Sequence, residues 1–206
     1  LRAINEEEAY SHISPHLGMI LSAVKDSVND YFNGSKYSQV RHEHSSRSAA
    51  SICHDKIKKS VIEKFEGVLG ARHRTHHGLF TLLIDEVVVL RFKKFNNKRL
   101  SSGIATQQQL AFNNQEPEQL ELPDMPPNGL LHVGYQLNKL ESGVESVFIT
   151  CRHGNDNLWT WDITAEGTKF TNQTLIPIPE PAATPSRRKI TAKSANNVGG
   201  EVNASS

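Results

Sequence analysis

The apolar residues of this chain change period once, near residue 70, and that change limits the class of fold it can adopt. Before it they recur at helical spacing. Leu17, Ile20, Leu21, Val24, Val28 and Phe32 make one stripe, and Ala50, Cys53, Ile57, Val61, Phe65 and Leu69 make a second. After it, GLFTLLID and EVVVLRFKKF are crowded with β-branched and aromatic residues, with Asp85-Glu86 between them. Helices come first and strands follow, so the two kinds of element are segregated along the chain and the expected class is α+β.

The spacing predicts a first helix over residues 14–32, with Ser14 as its cap, Pro15 in its first position and Asn33-Gly34 as its stop. A second helix is predicted from about Arg47 to Leu69. GLFTLLID and EVVVLRFKKF read either as a hairpin or as one long bent strand. Ser101-Ser102-Gly103 reads as a turn, and Thr106 caps a short helix in TQQQLAFNNQ. An acidic, proline-rich connection, EPEQLELPDMPPNG, leads into three strand candidates, LLHVGYQLN, VESVFITCRHG and NLWTWDI, which read as an antiparallel meander. From Gly167 the chain loses apolar periodicity and gains Pro, Ser, Thr, Asn and Gly. The expected architecture is one α+β domain over 1–166: two N-terminal helices, then a mostly antiparallel sheet of about five strands with one inserted short helix. A disordered tail is expected over 167–206.

The net charge of +1 conceals an asymmetry. Residues 35–110 carry 14 Lys/Arg against 6 Asp/Glu, a net of +8, and residues 111–166 carry 2 against 9, a net of -7. One reading is two solvated faces of opposite sign. The other is a basic face for an anionic partner and an acidic face for a protein partner or for self-masking. No segment approaches the ~20 apolar residues of a membrane span. LRAINEEEAY is acidic and lacks the apolar core of a signal peptide. Cys53 and Cys151 are the only cysteines, and a reduced protein of the cytoplasm is the simpler expectation.

Charge is densest where the second strand candidate ends. Arg91, Lys93, Lys94, Lys98 and Arg99 fall within nine residues, and Gln107 and Gln108 follow in the short helix. A folded core that runs straight into such a cluster suggests nucleic-acid phosphate as its ligand. Leu90 and Phe92 alternate with Arg91 and Lys93, so the cations are expected on the outer face. That alternation also fits plain solvent-facing residues that discourage edge pairing. Metal chemistry is not expected: His42-Glu43-His44 and His73, His76 and His77 have neither HExxH spacing nor CxxC pairs. A metal-dependent nuclease would need a second carboxylate where Arg91 stands. Metal-independent RNA cleavage asks less: a base, for which His77 is the candidate, and cations for the pentavalent phosphate, for which Arg91 and Lys93 are the candidates. No cofactor is expected.

Leu90–Gln115 together with VFITCRHGNDNLWTWDI, Val147–Ile163, resembles a group of small bacterial and prophage accessory proteins. Their pattern is an LRFKKL-type strand, an SSxxPTQQxLAFNxQ-type helix and a VTCxxG…W-x-DI-type strand pair. They are the gene neighbours of regulators that fuse a helix-turn-helix domain to an ImmA/IrrE-type domain, as in Rosmer-type toxin–antitoxin loci. Ile104-Ala105 departs from the Ile-Pro of that pattern. The resemblance spans residues 45–163. It implies an intracellular toxin or defence component neutralised by an antitoxin or regulator protein. Combined with the basic cluster, it leads to the expectation of a toxin acting on nucleic acid, RNA before DNA, or on the translation machinery. The alternative is a non-catalytic interaction protein whose charged faces dock a regulator.

Overall fold

Helix α1 spans Glu6–Ile13, and the Asn5 side chain caps it by accepting the Glu8 N–H at 2.8 Å. The acidic N-terminal run is thus a helix start, with Glu6, Glu7 and Glu8 at the positive end of the helix dipole. The sequence reading had no helix here. A 3-10 turn over Ser14–His16 takes Pro15, and α2 runs Leu17–Asn33, so Ser14 does not cap it. Helix α3 is a single turn, Ser35–Ser38. Helix α4 spans Ser46–Phe65 and is capped by the Ser45 hydroxyl, which accepts the Ser48 N–H at 3.1 Å. It stops short of the predicted Leu69, which is 93% exposed and outside the buried stripe. These elements come from a computed structural model that describes residues 3–101, 103, 106–120 and 129–165. The expected tail, 167–206, lies outside the described residues.

Six strands form one sheet in sequence order: β1 Ala71–His76, β2 Leu79–Ile84, β3 Val88–Lys94, β4 Leu130–Leu137, β5 Val144–His153 and β6 Asp156–Asp162. The class is the expected α+β, with one strand more than predicted. The extra strand, ARHRTH, is an edge strand with little burial, so it carries no apolar pattern to read. GLFTLLID and EVVVLRFKKF form a hairpin, with Asp85 and Glu86 both at positive φ in its turn. Every neighbouring pair is antiparallel except β3–β4. A parallel pair needs a crossover, and helix α5, Gln107–Asn113, lies within it. Thr106 caps α5 as expected, accepting the Gln109 N–H at 3.2 Å.

The sheet buries both faces. Even-numbered residues of β2 and β3, among them Phe80, Leu82, Leu90 and Phe92, join the main core with the apolar sides of α1, α2 and α4. The odd-numbered Leu79 and Val89 face the other way and pack with Ala111 and Phe112 of α5, Leu120 and Leu130. This second layer overturns the expectation that the alternate residues of β3 face solvent. Arg91 sits among them at 9% exposure, and Lys93 is half-buried. Trp161 enters the main core and Trp159, two residues earlier on the same strand face, packs against it. Cys53 and Cys151 are both free and buried.

Candidate functional site

Strands β2 and β3 pair only next to their turn. The register holds for Ile84–Val88, Leu83–Val89 and Leu82–Leu90, and there it ends. β2 stays paired with β1 to Leu79, and β3 stays paired with β4 to Lys94. Each strand therefore keeps one neighbour while the space between them opens. A cleft of about 840 Å³ fills this fork, within the ~300–1,000 Å³ typical of small-ligand sites. Phe80 lines it from β2, and Arg91, Phe92, Lys93 and Lys94 line it from β3. Helix α4 closes one side with Arg47, Ser51 and His54, and Gly103 and Gln109 meet it from the side of α5.

The cations of β3 are the unusual part of this lining. Arg91 stacks over the Phe112 ring at 5.5 Å, and its Nη1 is buried with no hydrogen-bond partner among the described residues. Burial lowers its guanidinium to about 10. Lys93 is lowered to about 8, by burial first and by the Arg91 charge second. Both groups are still mainly protonated at neutral pH. Among the described residues neither has a carboxylate at ion-pair distance. Asp55, the one carboxylate among the described lining residues, is largely exposed and stands 3.8 Å from His54.

The described surroundings do not offset this charge. His132 is the parallel register partner of Arg91, is 1% exposed, and has neither ring nitrogen hydrogen-bonded to a described residue. Burial, then Arg91, Arg152 and Lys93, hold it well below its ordinary value, so the ring is neutral. Arg152 donates to the Gly154 carbonyl at 2.8 Å and reaches the Ser101 carbonyl at 3.4 Å. His54 on α4 is also lowered, mainly by burial and then by Lys93. A buried cation without a partner costs several kcal/mol unless something else compensates its charge. The arrangement suits a ligand that supplies that charge itself.

The other residues singled out from the sequence scatter. Lys94 lines the cleft but lies 3.7 Å from Glu141. Lys98 is exposed in the loop after β3, where its N–H donates to the Asn96 side chain. Arg99 is at positive φ and stacks on Phe148 at 4.6 Å. Gln107 and Gln108 are in the first turn of α5 and do not line the cleft, whereas the buried Gln109 does. His77 is exposed in the β1–β2 turn, 4.0 Å from the His76 ring, and is not part of the lining. The sequence does not mark His54 and Arg47 as site residues, and Gln109 reads there, with Gln107 and Gln108, as cover for a short exposed helix. The spacing of Arg47, Ser51 and His54 places them along one side of α4, which is the signal that would have joined them. Among the described residues no three His, Cys, Asp or Glu side chains are grouped to hold a metal ion, and no helix is long and apolar enough to cross a membrane.

Comparison with protein families, with curated proteins and with solved structures finds no match for this chain. The geometry of the cleft and the residues themselves therefore carry the functional reading.

Proposed function

We propose that this chain is the toxin component of a bacterial or prophage toxin–antitoxin or defence locus, and that it acts by drawing a phosphate group of nucleic acid into the cleft between β2 and β3. RNA is favoured over DNA, and the cytoplasm is where such a target lies. The observation that supports this reading best is the pair Arg91 and Lys93, two desolvated cations in one cleft with no carboxylate partner among the described residues. Selection for stability alone would neutralise or replace them. A phosphate supplies the missing charge and accepts several hydrogen bonds at once. The resemblance of Leu90–Gln115 to toxin-locus proteins supports the biological half of the reading, including an antitoxin or regulator as protein partner.

Binding is the favoured activity. His77, the base expected for RNA cleavage, does not line the cleft, so it is poorly sited to take a proton from a ligand held there. Two measurements test the proposal. Expression of the wild type should arrest growth, and Lys93→Met should relieve the arrest while the protein stays folded. The purified protein should bind RNA with a steep salt dependence, and Lys93→Met should flatten the slope of log affinity against log salt by ~0.7 per lost single-strand contact. A harmless wild type that binds no nucleic acid would leave a docking protein for a regulator as the better account.

A further inference from the structure

The fork between β2 and β3 exposes main-chain groups as well as cations. In β3 the Val89 N–H donates to the Gly129 carbonyl, and just beyond the strand the Phe95 N–H donates to the Tyr135 carbonyl. Odd-numbered residues of β3 therefore turn their N–H and C=O toward β4, and even-numbered ones turn theirs toward β2. In β2 the pair His76–Leu79 closes the two-residue turn His77-Gly78, so odd-numbered residues there turn toward β1 and even-numbered ones toward β3. Leu82 and Leu90 use these groups on each other. Two residues further out, Phe80 and Phe92 point theirs across the fork with no strand partner among the described residues. Their rings, 6.1 Å apart, lie in the core on the side of α4 and floor the gap. Arg91 and Lys93 lie on the opposite face of β3, at the side of α5.

We infer that the fork takes a single unpaired nucleotide, with its phosphate at Arg91 and Lys93 and the edge of its base against the free main-chain groups of Phe80 and Phe92. This rests on the phosphate reading above and narrows it. A base edge carries neighbouring donors and acceptors, which is what a strand edge offers in return. In a duplex that edge is already paired, and the phosphates lie on a stiff outer surface that cannot follow a guanidinium exposed by only 9%. An unpaired nucleotide in a single strand meets neither obstacle. The cleft is of a size for one small ligand rather than a long tract of backbone. An extended peptide strand also fits a free strand edge, but it leaves Arg91 and Lys93 without a counter-charge unless it is acidic.

The test uses the full chain with four probes: a short single-stranded RNA, the same strand annealed to its complement, adenosine 5′-monophosphate, and an acidic peptide. The single strand should bind at least about tenfold more tightly than the duplex, and the mononucleotide should compete with it. Lys93→Met and Ser51→Trp should each weaken single-strand binding about tenfold or more; Ser51 is exposed on α4 at the cleft mouth, so the indole blocks the opening and spares the core. Circular dichroism checks that both variants are folded. In the wild type, amide exchange at Phe80 and Phe92 should slow when the mononucleotide is added. Equal affinity for single strand and duplex, with Ser51→Trp silent and Lys93→Met still damaging, would overturn the unpaired-nucleotide inference and leave phosphate binding at an open surface. Tighter binding of the acidic peptide, lost in Ser51→Trp, would overturn it in favour of a protein strand. No binding of any nucleic acid would remove this inference and the proposed function together.

Discussion

Lys93→Met should make the protein more stable at neutral pH, although it removes a side chain that the proposed ligand needs. Methionine keeps an unbranched apolar stem, one atom shorter than the lysine side chain, and deletes the ammonium group. Lys93 falls from an ordinary 10.5 to about 8 on folding, with burial and then Arg91 as the causes. At ~1.4 kcal/mol per pKa unit, holding the charge in the folded state at pH 7 costs roughly 3 kcal/mol, an upper limit because the site is only partly closed to water. The sign follows from proton counting. Between pH 8 and 10.5 the unfolded chain holds the Lys93 proton more tightly than the folded one, so stability rises with pH there and the cost fades. The groups that face Lys93 are Arg91 on β3, His54 on α4 and His132 on β4; the two histidines stay neutral throughout this range, and Arg91, lowered to about 10, loses its own proton only toward the upper end of it. Urea denaturation of wild type and variant, without ligand, should give the variant an advantage of about 1–3 kcal/mol at pH 7 that shrinks by about half near pH 9.5. A variant less stable than wild type at pH 7, or a difference that ignores pH, would refute the claim that Lys93 is held charged against its own solvation.

Three further outcomes are expected. Gln115→Leu should cost about 2–4 kcal/mol in urea denaturation, because the Gln115 amide donates to the Leu130 and Arg152 carbonyls at 2.7 and 2.9 Å and accepts the Leu130 N–H at 3.1 Å, all buried. Gly134→Ala should lower the melting temperature by an amount equivalent to about 1–3 kcal/mol, since a Cβ there would stand 2.2 Å from the Phe95 ring; a change below the error of the melt would mean the ring moves freely. If the protein cleaves RNA at all, His54→Ala should slow cleavage far more than His77→Ala, measured as single-turnover rates with affinity held in excess, because only His54 lines the cleft.

The parts of the fold that could be read from sequence are those in which one local pattern decides the structure. The stripes of α2 and α4, the Thr106 cap and the β4–β5–β6 meander belong to this group. Strand β1 could not be read, because Arg72, His73 and Thr75 are exposed on an edge and its pairing partner, β2, supplies the apolar side chains. The burial of Arg91 could not be read for a different reason. Alternation along LRFKK shows that Leu90 and Phe92 share a face, but it does not say whether the other face meets water or a second layer. That depends on Phe112 and Leu120, which the crossover brings over the sheet. The site followed the same division. The cations were visible as a cluster, whereas the fork exists only because β2 follows β1 while β3 follows β4, a relation among four strands.

That relation bears on why the cations stay charged. The simplest stable version of this sheet would zip β2 and β3 together past Leu82–Leu90, pairing Phe80 with Phe92 and leaving Arg91 and Lys93 on an ordinary buried face. Two cations side by side on such a face would be repelled and desolvated at once. Opening the fork lets water or a ligand reach them, at the expense of the main-chain hydrogen bonds that Phe80 and Phe92 would otherwise make. The two departures from a stable sheet thus share one location and one remedy. An anion that also presents hydrogen-bonding groups relieves both, and its binding should be read as a gain in stability set by its concentration over its dissociation constant. On this argument the wild type gains more from a mononucleotide than Lys93→Met does, and their order of stability at pH 7 reverses once the ligand is in large excess.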